Sequence, residues 1–404
     1  MAGSGLVRII LWTLGQALTS PFFWLVMLLV AGQHYRLARA KSRLLGVNTE
    51  PFWLPLLYSA LLGVLGGAVG SGLLVLLGVS LSNVGLAYVW PLAILLMLVS
   101  PHLLCFSYAG GLLAVSSLLF GWPRVEVPQL VGLVGALHLV EGVLILLSGH
   151  LGALPVYLRL PQGETVGGFN LQRFWPIPLV AGALVELPSL VPQGIPMPDW
   201  WPLIRPAGIV HPEHAVYLLL PVVAALGYGD LAVSSLPRER SRRSALTLCG
   251  YSLAVIALAV GASRYPGLAL PAALFTPLGH ELTIMWGRRV ELRGRPRFRP
   301  PAEGVMVLDT LWGSQARCWG LEPGTVLRAI NGWRVGSREE LALALATGGS
   351  NMELEYIDPG GRWHRVRVRR DPGRPLGIIP VPGPGDLPML EWRTGSLLRR
   401  LFKK

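Results

Sequence analysis

Charge is scarce in this chain. Of 404 residues, 14% are Asp, Glu, Lys or Arg, 52% are hydrophobic, and the mean hydropathy is +0.52. A soluble domain averages about 25% charged residues, so an ordinary soluble enzyme is excluded. Disorder is excluded as well, because it needs low hydrophobicity and high charge. Cysteine is scarcer still. Cys105, Cys249 and Cys318 are too few and too scattered for a disulfide framework or a metal cluster, so no metal and no cofactor are expected. Lysine is nearly missing: Lys41, Lys403 and Lys404 are the only ones among 35 basic residues. No small-residue cleavage site stands out after the N-terminal apolar stretch, which is expected to be kept as membrane segment.

What the chain does have is long apolar runs. A bilayer core of about 30 Å needs around 20 apolar residues per helix. Residues 1–287 therefore predict an all-α polytopic membrane bundle, with spans near 18–35, 53–78, 86–104, 106–121, 129–147, 175–187, 214–234, 244–262 and 267–286. The run at 175–187 is short, opens Trp175-Pro176-Ile177-Pro178, and suits a broken or re-entrant helix. Gly63, Gly66, Gly67, Gly70 and Gly72 predict close helix–helix approach, or else a path for a substrate. No pair of broken segments in matched halves points to a transporter.

Net charge is +13. Three basic clusters flank apolar runs: Arg36 to Arg43 with Lys41, Arg238 to Arg243, and Arg288 to Arg295. Basic loops face the cytoplasm. Threading all nine spans then puts the loop at 188–212 outside and the C-terminus inside. Residues 288–404 hold 21 basic and 12 acidic side chains, which suits an anionic lipid leaflet. No aromatic-basic platform or zinc-finger spacing indicates nucleic acid.

Residues 288–301 read as an Arg- and Pro-rich linker, and the chain changes character after them. Short runs rich in β-branched residues occur at Val305–Leu308, Val326–Ile330, Met352–Ile357 and Trp363–Val368. Asn331-Gly332 is a hairpin signal, since both positions want positive φ. Ser337 with Glu340 predicts a helix start, and Gly348-Gly349 its end. The tail, 383–404, is basic. Its leucines at helical spacing suit a membrane-surface helix or a solvated tail.

The order of elements over 302–382 resembles a PDZ domain. The likeness rests on Gly304-Val305-Met306-Val307, Gly320-Leu321-Glu322-Pro323-Gly324-Thr325-Val326-Leu327, Ile330-Asn331-Gly332-Trp333-Arg334-Val335 and the helix through Glu339-Glu340-Leu341. It implies a small mainly-β (α+β) domain that adds an extended peptide to a strand edge. Gly304, Val305, Met306 and Val307 would offer the edge, and Leu341 and Leu345 the pocket walls. As plain residues, both leucines also read as core.

Catalytic motifs are sparse. His280-Glu281 opens a zinc-protease pattern, but Ile284 stands where the second His belongs. No G-x-S-x-G is present. His138, Glu141, His280 and Glu281 are the polar candidates inside spans, each also readable as a helix–helix hydrogen bond. His211-Pro212-Glu213-His214 reads as a loop cap or a weak chelate.

The whole architecture resembles the MinJ family of bacterial division proteins. Three further segments look similar: Ser20-Pro21-Phe22-Phe23-Trp24, Phe169 to Pro178, and Thr276-Pro277-Leu278-Gly279-His280-Glu281. The resemblance implies a topological determinant of septum placement. It would be a multi-pass cell-membrane scaffold with a cytoplasmic PDZ domain that bridges DivIVA-like and MinD-like partners, and not an enzyme. The alternatives are a membrane protease or a protease-regulating sensor, and a transporter.

Overall fold

Pro21 decides how the chain begins. Proline is well placed at the first position of a helix, where its missing N–H is not needed. Helix α1 (Ala2–Thr19) therefore stops and α2 (Pro21–Leu45) starts, with the axes bent by 62°. The structure is a computed structural model that describes residues 2–45, 51–186, 195–207, 215–371, 373–383, 386–388, 390 and 391. The expected His211–His214 feature and residues 392–404 of the expected surface helix lie outside those residues.

Helix α3 (Trp53–Leu77) closes at Gly78, whose left-handed conformation (φ +71°) lets its N–H bond the Leu74 and Val75 carbonyls. Next come α4 (Leu86–Val99), a single 3₁₀ turn (Pro101–Leu103), α5 (Phe106–Phe120) and α6 (Val127–Ser148). At 1.5 Å per residue, α4 and α5 each extend only about 21–23 Å, short of a bilayer core. Helices α7 (Pro237–Ala262) and α8 (Ala269–Arg293) complete the apolar part. Among the described residues, α3, α6, α7 and α8 are long and apolar enough to cross a membrane, and bent α1–α2 makes a fifth if it is one span.

Two expected spans are not helices. Residues 175–186 and 215–232 of those spans fall in β2 (Thr165–Glu186) and β3 (Ala215–Ala232), one long antiparallel hairpin with Pro176 opposite Ala225 and Pro178 opposite Val223. Strand β1 (Leu154–Arg159) pairs with β2 only over residues 165–170. Beyond Asn170 that edge of β2 faces α3. Prolines are tolerated at such an edge, since no ladder bond is lost, whereas each would remove a bond inside a helix. The N-terminal part is thus a helical bundle wrapped on a sheet, and the all-α expectation is corrected to that extent.

The glycines of α3 serve this hairpin. A Cβ on Gly63 would sit 2.1 Å from the Pro176 carbonyl oxygen, and one on Gly67 would sit 1.9 Å from that of Pro178. Ser71 Oγ accepts the Val180 N–H at 2.8 Å. Gly66 does meet a helix, through Leu144 of α6, while Gly72 has nothing within 4 Å. Close approach was the expected role of this stripe, but the main partner is a strand backbone.

Where β3 hands over to α7, a carboxylate ties three elements together. Glu291 near the end of α8 is 1% exposed. It accepts the backbone N–H groups of Val233 (3.0 Å) and Ser234 (2.9 Å) and the Ser234 and Ser235 hydroxyls, with Arg243 at 3.5 Å. Beside it Arg240 bridges Asp230 (2.8 Å) and the Gly287 carbonyl (2.9 Å). This last bond puts the start of α7 against the end of α8, so the two helices run antiparallel. Their arginine-rich ends share the side from which the C-terminal domain emerges. The segment read as a linker is anchored there too: Phe298 is fully buried, and Gly167 donates its N–H to the Phe298 carbonyl (2.9 Å).

The C-terminal region is mainly β. It comprises β4 (Val305–Thr310), α9 (Gln315–Cys318), β5 (Val326–Ile330), β6 (Trp333–Arg334), α10 (Arg338–Thr347), β7 (Asn351–Ile357), β8 (Trp363–Arg369) and β9 (Ile378–Pro380). The sheet order is β8-β7-β5-β4-β9, with β6 on β5. Asn331 (φ 51°) and Gly332 (φ 79°) make the expected turn between β5 and β6. Ser337 Oγ accepts the Glu340 N–H to start α10. The Glu340 carboxylate reaches back to Gly336 N–H and not to that of Ser337. Strand β10 (Leu390–Glu391) pairs with β1, and so returns the chain to the first sheet.

Candidate functional site

Alternation along β4 decides what that strand can do. Val305 and Val307 enter the core of the β domain with Leu327, Leu341 and Leu345. Met306 and Leu308 face the other way and pack with the core that contains Tyr157, Phe169 and Phe298. Strand β4 is paired on both sides, with β5 and with β9. The expected open edge at Val305–Val307 is therefore not there. Gly304 likewise has a local reason: φ is +86°, and a Cβ would lie 2.5 Å from the Leu327 carbonyl. Leu341 and Leu345 are buried core residues.

The edge lies one strand further out. Among the described residues, strand β9 is the last in its sheet, and its bond direction follows from its ends. Gly377 offers its carbonyl to Leu311 and Val381 its N–H to Met306, both on the β4 side. Backbone groups alternate along a strand, so the N–H and C=O of Ile378 point outward, as does the Pro380 carbonyl. Tyr157 donates its hydroxyl to Pro380 at 2.9 Å. Burial pushes the Tyr157 phenol pKa up, which keeps it a donor. Asp386 pairs with Arg338 at the start of α10 (2.6 Å), and Arg338 also covers the Tyr157 ring at 5.6 Å. The outward side of β9 is thus framed by α10 and by β1.

A second constellation lies inside the helical part. Cys105 is the N-cap of α5, and its sulfur accepts the Ser107 N–H. Its Sγ lies 3.0 Å from His138 Nε2 and 3.9 Å from His280 Nε2. His138 is the twelfth of 22 residues in α6 and His280 the twelfth of 25 in α8. The break between α4 and α5 therefore sits level with the middle of both helices. Irregular backbone at that depth is tolerated where protein covers it.

His138 Nδ1 faces the Val134 carbonyl at 2.8 Å, which can only accept, so Nδ1 carries the proton. Tyr251 donates to the Thr276 carbonyl at 2.6 Å. Ser107, 2.7 Å from Tyr251, must then donate to the Tyr251 oxygen. Ser107, 3.4 Å from His138 Nε2, has thus spent its hydrogen, and among the described residues the Nε2 lone pair faces the Cys105 thiol. His280 differs: its Nδ1 is buried and has no partner among the described residues.

Of the expected intramembrane residues, His138 and His280 come together, with ring centroids 5.1 Å apart. The carboxylates do not join them. Glu281 accepts the Tyr108 hydroxyl and has His102 Nε2 at 3.8 Å, while Glu141 stays one turn along α6. Among the described residues, the group of donor atoms that could hold a metal is Cys105, His138 and His280, all within 4.8 Å of one another. Cys105 was read as a scattered thiol. Its only local signal is the helix-breaking Ser100-Pro101-His102 just before it. The run Leu376-Gly377-Ile378-Ile379-Pro380 was also missed as a strand, because four residues between Pro375 and Pro380 carry no period. Comparison with protein-family models, curated proteins and solved structures finds no match.

Proposed function

We propose that this chain is a membrane-anchored adaptor whose β-rich C-terminal domain is a PDZ domain that binds an extended protein segment at β9. One observation carries the reading: β9 ends its sheet with the polar groups of Ile378 turned outward, beside α10. An open strand edge beside a helix is the arrangement used for strand addition. The apolar helices supply the rest. Anchoring a binding domain at a bilayer raises its effective concentration for other membrane-bound partners, so weak contacts suffice. The arginine-rich ends of α7 and α8, on the same side as the domain, favour a cytoplasmic position.

Within this reading, septum placement with DivIVA-like and MinD-like partners follows from the motif resemblance set out above. The test is an N-terminal fluorescent fusion, bright on either side of a membrane, imaged in dividing cells beside a version lacking residues 300–404. Enrichment at septa and poles that disappears on truncation is the expected result. Uniform membrane signal from the full chain would remove the division-site role. A membrane hydrolase remains the second reading, favoured by the 3.0 Å approach of Cys105 Sγ to His138 Nε2.

A further inference from the structure

An adaptor has no use for a thiol and two imidazoles that converge in the middle of its membrane domain. Buried polar groups in a membrane protein cost free energy unless satisfied. Here the His138 Nε2 lone pair is left to the Cys105 thiol, a weak donor, and His280 Nδ1 is buried with no partner among the described residues. We propose that Cys105, His138 and His280 bind one Zn²⁺ ion, which clamps the α4–α5 break to α6 and α8.

Donor chemistry and distance both fit. One thiolate and two imidazoles suit Zn²⁺ and exclude the hard cations that take oxygen ligands. With Zn–S about 2.3 Å and Zn–N about 2.0–2.1 Å, tetrahedral geometry separates S and N by roughly 3.5–3.6 Å. The two observed separations, 3.0 and 3.9 Å, bracket that value. The two imidazole nitrogens lie within 4.8 Å of each other, so side-chain shifts on the order of 1 Å place all three atoms around one ion. The Nδ1–H of His138 bonded to Val134 is the outer contact that orients a ligating imidazole. Tyr251 and Tyr108 pack edge-on against His280, with centroids at 5.6 and 5.3 Å, and shelter the site.

Binding releases the Cys105 thiol proton and forms a Zn–S bond, with no change of oxidation state. The resulting centre has a net charge of +1. Glu141 on α6 and Glu281 next to His280 are acidic residues on the same two helices. Water fills the fourth position, as in sites with three protein ligands. The ion replaces the hydrogen bonds that an isolated break in this position would lack.

The test uses the full chain purified in detergent, exposed to ZnCl₂ and desalted, with metal measured by mass spectrometry. About one Zn²⁺ per chain is expected for the wild type and for Cys318→Ser. Cys105→Ser and His280→Gln should lower retention by about tenfold or more, since removing even an outer contact costs that much. Loading the wild type with Co²⁺ gives a readout independent of variant folding. A near-ultraviolet thiolate-to-cobalt band and intense tetrahedral visible bands are expected. Zinc should also slow alkylation of Cys105. A wild-type chain that holds no stoichiometric zinc and shows no cobalt–thiolate band would overturn the site. So would alkylation of Cys105 at one rate with and without zinc, an outcome that would favour a thiol–imidazole pair.

Discussion

Gly67→Ala should abolish the yield of folded chain, while Gly72→Ala should leave it intact. Both glycines lie on α3, five residues apart, in equally apolar sequence. The difference is what a methyl group would meet. At Gly67 it would be 1.9 Å from the Pro178 carbonyl oxygen, and backbone on both sides leaves no side chain free to yield. Relief requires β2 to move off α3, which also breaks the Ser71 bond to Val180. Overpacking in a tight interior costs about 1–3 kcal/mol and more when backbone must shift, so the upper end applies. At Gly72 the methyl has open space, and helix propensity favours alanine by about 1 kcal/mol. The check is monodisperse yield and Tm in detergent for both variants. Equal behaviour would mean that the hairpin does not lie on α3.

Glu291→Ala should lower stability by about 3–5 kcal/mol, the usual cost of removing one partner of a buried ion pair. Two backbone N–H groups, two hydroxyls and Arg243 all lose their acceptor at once. Glu164→Ala is the control. Its pairing with Arg299 at 2.8 Å is on the surface, both side chains being nearly half exposed, and such pairs contribute about 0–1 kcal/mol. Thermal unfolding followed by tryptophan fluorescence separates the two. A similar small shift in both would show that Glu291 is a surface charge and that the β3–α7–α8 junction is assembled otherwise.

Glu291 also shows what the sequence hides. It sits in Arg288-Arg289-Val290-Glu291-Leu292-Arg293, which reads as a solvated loop after a span, because charge runs usually are. The structure continues α8 through that run and turns Glu291 inward. Hydropathy located α3, α6, α7 and α8 well, since a helix carries its whole signal in one contiguous run. It misplaced β2 and β3 because a strand buried among helices is as apolar as a span. The alternate prolines Pro176 and Pro178 were the local clue to an extended chain. In the β domain the turn at Asn331-Gly332 and the cap at Ser337 were legible because each is decided within four residues. The cysteine site was not. Cys105, His138 and His280 are 33 and 142 residues apart, and only the packing of α5, α6 and α8 brings them together. The open strand was misassigned for a similar reason: β4 looks like an edge until β9, almost 70 residues on, covers it.

The adaptor reading is tested most directly at the groove beside β9. Ala342 is exposed one turn from Arg338, on the face of α10 that meets Asp386. Trp363 is exposed at the start of β8, the opposite end of the sheet. A photo-crosslinking residue is placed at 342 or at 363 in the full chain, and intact cells are irradiated. Discrete protein adducts from position 342, absent from position 363 and reduced by Ile378→Asp, are the predicted result. No adduct at 342, or the same adducts from both positions, would contradict it.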